Sequence, residues 1–103
     1  MIFVELQYFE GCPNSDLMTE NVKEAIAQID TQVAFKCVLV DTPEKAEKYK
    51  FRGSPTVLIN GIDLEGVPEP AVGNLACRYY AKGIPSVETI INTIINTQHS
   101  EGK

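Results

Sequence analysis

Phe9-Glu10-Gly11-Cys12-Pro13-Asn14-Ser15 is the stretch on which the fold of this chain turns. Before it, residues 3–8 alternate, with Val4, Leu6 and Tyr8 on one side and Glu5 and Gln7 on the other, which is the period of a strand. After it, Met18, Val22, Ala25, Ile26 and Ile29 recur in steps of three and four, one stripe of a helix. Pro13 suits the first helical turn, where a missing N–H costs no hydrogen bond. The segment is therefore a strand-to-helix junction with Cys12 at the amino end of the helix.

Working outward, residues 33–40 are apolar and β-branched on both faces, as expected of a central strand covered by helices on each side. Asp41-Thr42-Pro43 then supplies a cap and a proline ahead of a short, solvated helix at 44–48. Gly53-Ser54-Pro55 leads into a strand at 56–59, and Asn60-Gly61 is a tight-turn signal directly after it. Gly66, Pro68, Pro70 and Gly73 mark 63–74 as a surface loop, after which 75–80 can form the next strand. Pro85-Ser86 opens a helix with Val87, Ile90, Ile91, Ile94 and Ile95 on one face, and the chain past Asn96 reads as a frayed tail. The expected order is β-α-β-α-β-β-α. Parallel crossovers are expected in its first half and antiparallel pairing in its second.

The chain has 103 residues, of which 44% are hydrophobic and 22% charged, the composition of one soluble domain. That domain is assigned to residues 1–97, with 98–103 as a flexible tail. A chain of this size removes about two-thirds of its unfolded surface from water, so no staple is needed to form a core. The net charge is −5, and the nine Lys and Arg are scattered rather than clustered, which argues against nucleic-acid partners. The N-terminal run has no basic segment and no apolar stretch long enough to span a bilayer, so a cytoplasmic protein without membrane contact is expected. Three cysteines are an odd number. In a reducing compartment they are expected to act as free thiols rather than as a disulfide framework.

Cys12 is the main chemical candidate. A thiolate at a helix N-terminus faces unsatisfied N–H groups and the positive end of the helix dipole, which lowers a thiol pKa from about 8.5. Ser15 is positioned in sequence to donate a hydrogen bond to the sulfur, while Glu10 and Asp16 act against the thiolate. The competing account makes Cys12 a small buried hydrophobe. Gly before it, Pro after it and a helix start favour reactivity.

These segments together resemble the thioredoxin superfamily over nearly the whole chain. Cys12-Pro13-Asn14-Ser15 stands where that family carries CxxC, with Ser15 replacing the second cysteine, and Ser54-Pro55-Thr56 looks like its cis-proline element. The ordered motifs in 8–14, 52–56, 60–61 and 77–80 most resemble the small thioredoxin-like DF-family (seleno)proteins, also labelled alkylmercury-lyase-like. The resemblance implies an α/β thioredoxin-like fold, a mixed four-stranded sheet with helices on both faces. It also implies that Pro13, Asn14, Ser54, Pro55, Thr56 and Arg52 contact substrate, with backbone groups at Ser54-Pro55-Thr56 bonding an extended one.

Because Ser15 removes the resolving thiol, a monothiol oxidoreductase is expected, in which Cys12 attacks a disulfide and is released by glutathione, by a partner or by Cys77. No bound cofactor is expected beyond glutathione as a co-substrate. Partners would be protein or small-molecule thiols and disulfides, and the oligomeric state is unknown from sequence. Cys77 is placed on a strand antiparallel to 56–59. Cys37, in the strand taken as central, is read as packing. Arg52, Arg78 and Lys50 are candidates for pairing with substrate carboxylates. Tyr8, Phe9, Tyr79 and Tyr80 are read as core or cleft wall, and His99 as neither ligand nor base. Two other classes stand beside the oxidoreductase: soft-metal or organomercurial binding by Cys12 with Cys77, and a non-catalytic module that holds an extended partner.

Overall fold

A computed structural model describes residues 1–101. Its elements are β1 (Ile2–Tyr8), α1 (Pro13–Ala27), β2 (Val33–Leu39), α2 (Pro43–Tyr49), β3 (Thr56–Ile59), β4 (Ile62–Asp63) and α3 (Val87–Glu101). The strands form one mixed sheet in the order β2-β1-β3-β4, with β1–β2 parallel and the other two pairings antiparallel. No helix of the described residues is long and apolar enough to cross a membrane.

The alternation read from 3–8 decides how the layers assemble. Ile2, Val4 and Leu6 point to one face and pack against Met18, Val22 and Ala25 of α1 and Ile90 and Ile94 of α3, with Val57 and Ile59 from β3 in the same cluster. Each of these side chains is essentially removed from water, and full burial of such a side chain is worth about 1.5–3 kcal/mol. The opposite face carries the smaller cluster of Val40, Ala46 and Phe51, against which Phe9, Val38 and Tyr49 pack. Thr42 caps α2 by accepting from the Lys45 N–H at 3.1 Å.

The fold differs from expectation in four places. Residues 33–40 form an edge strand, because β1 takes β2 on one side and β3 on the other. Lys36, Cys37 and Leu39 are accordingly exposed, so Cys37 is a free surface thiol and not core packing. The parallel crossover holds for β1–β2 only; β3 enters antiparallel to β1. The fourth strand is the short β4 that follows the Asn60-Gly61 turn, whereas 75–80 contributes a single parallel bridge, Ser54 to Cys77. Finally, α3 continues to Glu101, since nothing between Asn96 and Glu101 breaks a helix. Gly102 and Lys103, the rest of the expected tail, lie outside the described residues.

Candidate functional site

Cys12 is the N-cap of α1, in extended backbone conformation, with Pro13 opening the helix. It is buried, at 6% exposure, and Pro13 and Asn14 beside it are exposed. A surface cavity of about 590 Å³ runs along the junction from Tyr8 to Asp16 and reaches Cys12; its charged residues are Glu10 and Asp16.

The junction is tied to the segment before β3 by one hydroxyl. Ser54 Oγ accepts from the Phe9 N–H at 3.0 Å and lies 3.0 Å from Ser15 Oγ. Ser15 therefore pairs with Ser54, not with the Cys12 sulfur as its spacing suggested. Its side chain holds the start of α1 against the Ser54–Pro55 peptide bond, which is cis.

Cys12 is joined to Cys77 in a disulfide, with Cα atoms 5.7 Å apart across a sequence separation of 65. The expectation that the cysteines stay as free thiols is corrected for this pair. Closing a loop of that length removes chain entropy from the unfolded state worth about 4 kcal/mol. Among the described residues no group of three or more His, Cys, Asp or Glu is arranged to hold a metal ion. A soft-metal site would rest on these two sulfurs alone, once reduced.

Irregular chain delivers Cys77, and tertiary bonds hold that chain in place. The Asp63 carboxylate accepts from the Glu65 and Val67 N–H groups, and Arg52 Nε donates to the Val67 carbonyl. Lys50 Nζ donates to the Ala71 carbonyl, Glu47 accepts from the Gly73 N–H, and the Asn74 N–H donates to the Phe51 carbonyl. Gly73 lies so close to α2 that a Cβ there would run into the Ala46 carbonyl. The Ser54 N–H then donates to the Ala76 carbonyl and the Arg78 N–H to the Ser54 carbonyl, each at 2.8 Å, which sets Cys77 opposite Ser54. At Gly53 (φ +106°) an added Cβ would lie 2.9 Å from the Arg78 Cβ, so close approach requires glycine.

Arg78 anchors the end of the segment. Its guanidinium forms a forked pair with Asp63, Nη1–Oδ1 2.6 Å and Nη2–Oδ2 3.0 Å, and donates to Thr56 Oγ1 at 3.2 Å. Both side chains are buried. Burial by itself pushes the Asp63 carboxyl up, but the hydrogen bonds and charge of Arg78, helped by the Val67 and Glu65 N–H groups, leave its pKa below the ordinary value. Burial likewise works against the Arg78 charge and is outweighed by Asp63, Tyr80 and Glu65, so its pKa is raised. The guanidinium also stacks 4.6 Å from the Tyr80 ring centroid. The Tyr80 hydroxyl donates to the Pro55 carbonyl at 2.6 Å, and burial raises its pKa.

All three cations considered for substrate carboxylates are engaged within the chain: Arg78 with Asp63, Arg52 with the Val67 carbonyl, and Lys50 with Glu47 and the Ala71 carbonyl. Thr56 is buried and donates to the Gly53 carbonyl at 2.6 Å. The Ser54 backbone groups, assigned by resemblance to an extended substrate, are held by the chain's own residues 76 and 78. Tyr80 is buried as expected, whereas Tyr79 is 85% exposed and walls nothing. Asp63 was missed because it reads as the start of a loop. The sequence carried no signal for it: that Asp63 faces inward follows from the exposure of Ile62 beside it, which only the structure shows.

A family model of the thioredoxin domain matches residues 4–72. The matched segment contains Cys12 and the Ser54–Pro55 bond and ends before Cys77. A search of curated proteins finds no match.

Proposed function

Since the chain belongs to the thioredoxin domain family, we propose that it is a thiol–disulfide oxidoreductase whose redox couple is Cys12 with Cys77. The observation that carries this reading is the disulfide itself, set at the amino end of α1 with Cα atoms 5.7 Å apart. Ser15 gives the motif no second thiol, and Cys77 supplies it from outside the motif. A two-cysteine cycle thus takes the place of a strict monothiol mechanism. Small or protein thiols, glutathione among them, are the exchange partners. The ordered motifs at 8–14, 52–56 and 77–80 support a place among the DF-family proteins, because Cys77 belongs to that pattern.

The test is equilibration in glutathione redox buffers, with the Cys12–Cys77 disulfide quantified by mass spectrometry. A catalytic couple in the cytoplasm is expected to titrate reversibly in the range of about −200 to −270 mV. A potential below about −300 mV would mark a structural disulfide and end both the catalytic assignment and the cytoplasmic one. Cys12→Ser and Cys77→Ser are each expected to abolish turnover of a small disulfide by the dithiol cycle.

A further inference from the structure

The two ends of the disulfide differ in access. Cys12 is 6% exposed beneath its junction, while Cys77 is an exposed residue on the surface segment. We infer that Cys77, rather than the motif cysteine Cys12, is the sulfur that exchanges with outside thiols, with Cys12 as the inner partner. The inference rests on the proposed redox couple and assigns the order of its two residues.

Three considerations agree. Thiol–disulfide exchange requires the attacking thiolate to reach one particular sulfur, and its rate falls when that sulfur is covered. The better leaving thiolate is the one of lower pKa. Cys12 is the N-cap of α1, so a departing Cys12 thiolate lies at the positive end of the helix dipole. The cavity from Tyr8 to Asp16 is the other route, and there an attacking thiolate enters a lining whose charged residues are Glu10 and Asp16. Cys77 is not among the residues that line that cavity. Both carboxylates are exposed, so water and salt screen their repulsion. Access and leaving-group quality therefore decide the order.

The step balances as follows. A thiolate RS⁻ attacks Sγ of Cys77, an RS–Sγ bond forms, the Sγ–Sγ bond breaks, and its electron pair leaves on Cys12. A second RS⁻ attacks the RS sulfur of that mixed disulfide and releases RSSR and the Cys77 thiolate. The two protons lost by the attacking thiols end on Cys12 and Cys77. Two thiols are oxidised to one disulfide and the protein disulfide is reduced. In reverse, Cys77 attacks a small disulfide and Cys12 resolves the adduct.

The test uses the oxidised wild-type protein and 2-mercaptoethanol, with acid quenching at early times, pepsin digestion at low pH and mass mapping of the adduct. At least a tenfold excess of adduct on Cys77 over Cys12 is expected. Equal labelling, or adduct mainly on Cys12, overturns the inference while leaving the redox couple intact. No adduct on either residue, with the disulfide remaining closed, overturns the proposed function itself. Reduced Cys12→Ser and Cys77→Ser proteins mixed with glutathione disulfide provide a second readout. The variant that keeps Cys77 is expected to form its adduct faster, and the opposite ranking counts against the inference.

Discussion

Cys12 and Cys77 reach the same point by different means. Cys12 rides on a junction between β1 and α1, where the alternation of 3–8, the Gly11 turn and Pro13 each specify local structure that regular backbone hydrogen bonds then hold. Cys77 rides on residues 64–80, which have almost no secondary structure and are held by an inward carboxylate, a forked guanidinium, a glycine against α2 and one β-bridge. A reactive group can thus be placed by local propensity or by a set of long-range bonds, and the second kind is the more easily undone by one substitution.

The strongest way to break the comparison is to cut the link between the two regions. Cys77→Ser is expected to remove the redox couple and to lower stability in urea by about 4 kcal/mol relative to the oxidised protein. Against reduced wild type it should change little. A large difference there would mean that Cys77 also contributes packing.

Next comes Arg78→Ala, which leaves the buried Asp63 carboxylate without its partner and is expected to cost about 3–5 kcal/mol. The disulfide should also become easier to reduce, because Cys77 loses its anchor; glutathione titration of the variant measures this. The same pair sets an acid limb. The Asp63 carboxyl titrates below its ordinary value in the folded protein, so its contribution is full above about pH 4, the unfolded value. That contribution drains away as pH falls through the lower folded value. In Asp63→Asn the stability gap to wild type should therefore be constant above about pH 4 and shrink as the pH falls below it, as followed by urea melts across pH.

Ser54→Ala probes the Cys12 side. It strands the Phe9 N–H and the Ser15 hydroxyl while leaving the backbone bonds to residues 76 and 78, with an expected loss of about 1–2 kcal/mol. Unchanged stability would mean that the junction needs no tie to the segment before β3. Tyr80→Phe should have the smallest effect, about 1 kcal/mol, because it removes one hydrogen bond to Pro55 and keeps the ring beneath Arg78.

The contrast also explains what could be read beforehand. The alternation of β1, the stripe of α1, the cap of α2 and the turn at Asn60-Gly61 were legible because each depends on residues a few positions apart. The strand order was not, since the apolar residues of 33–40 fit a central strand as well as an edge strand. With β2 at the edge, Cys37 became a surface thiol.

By itself the sequence determined a mixed α/β domain with Cys12 at a helix start and Ser15 in place of a second motif thiol, because capping and hydrophobic periodicity act over single turns. Only the tertiary structure decided that Cys77 meets Cys12, that Ser15 turns to Ser54, and that Asp63 and Arg78 pair beneath the loop. Those contacts join residues between 15 and 65 positions apart, where chain connectivity sets no geometry and the bonds form only once the packed sheet brings their ends together.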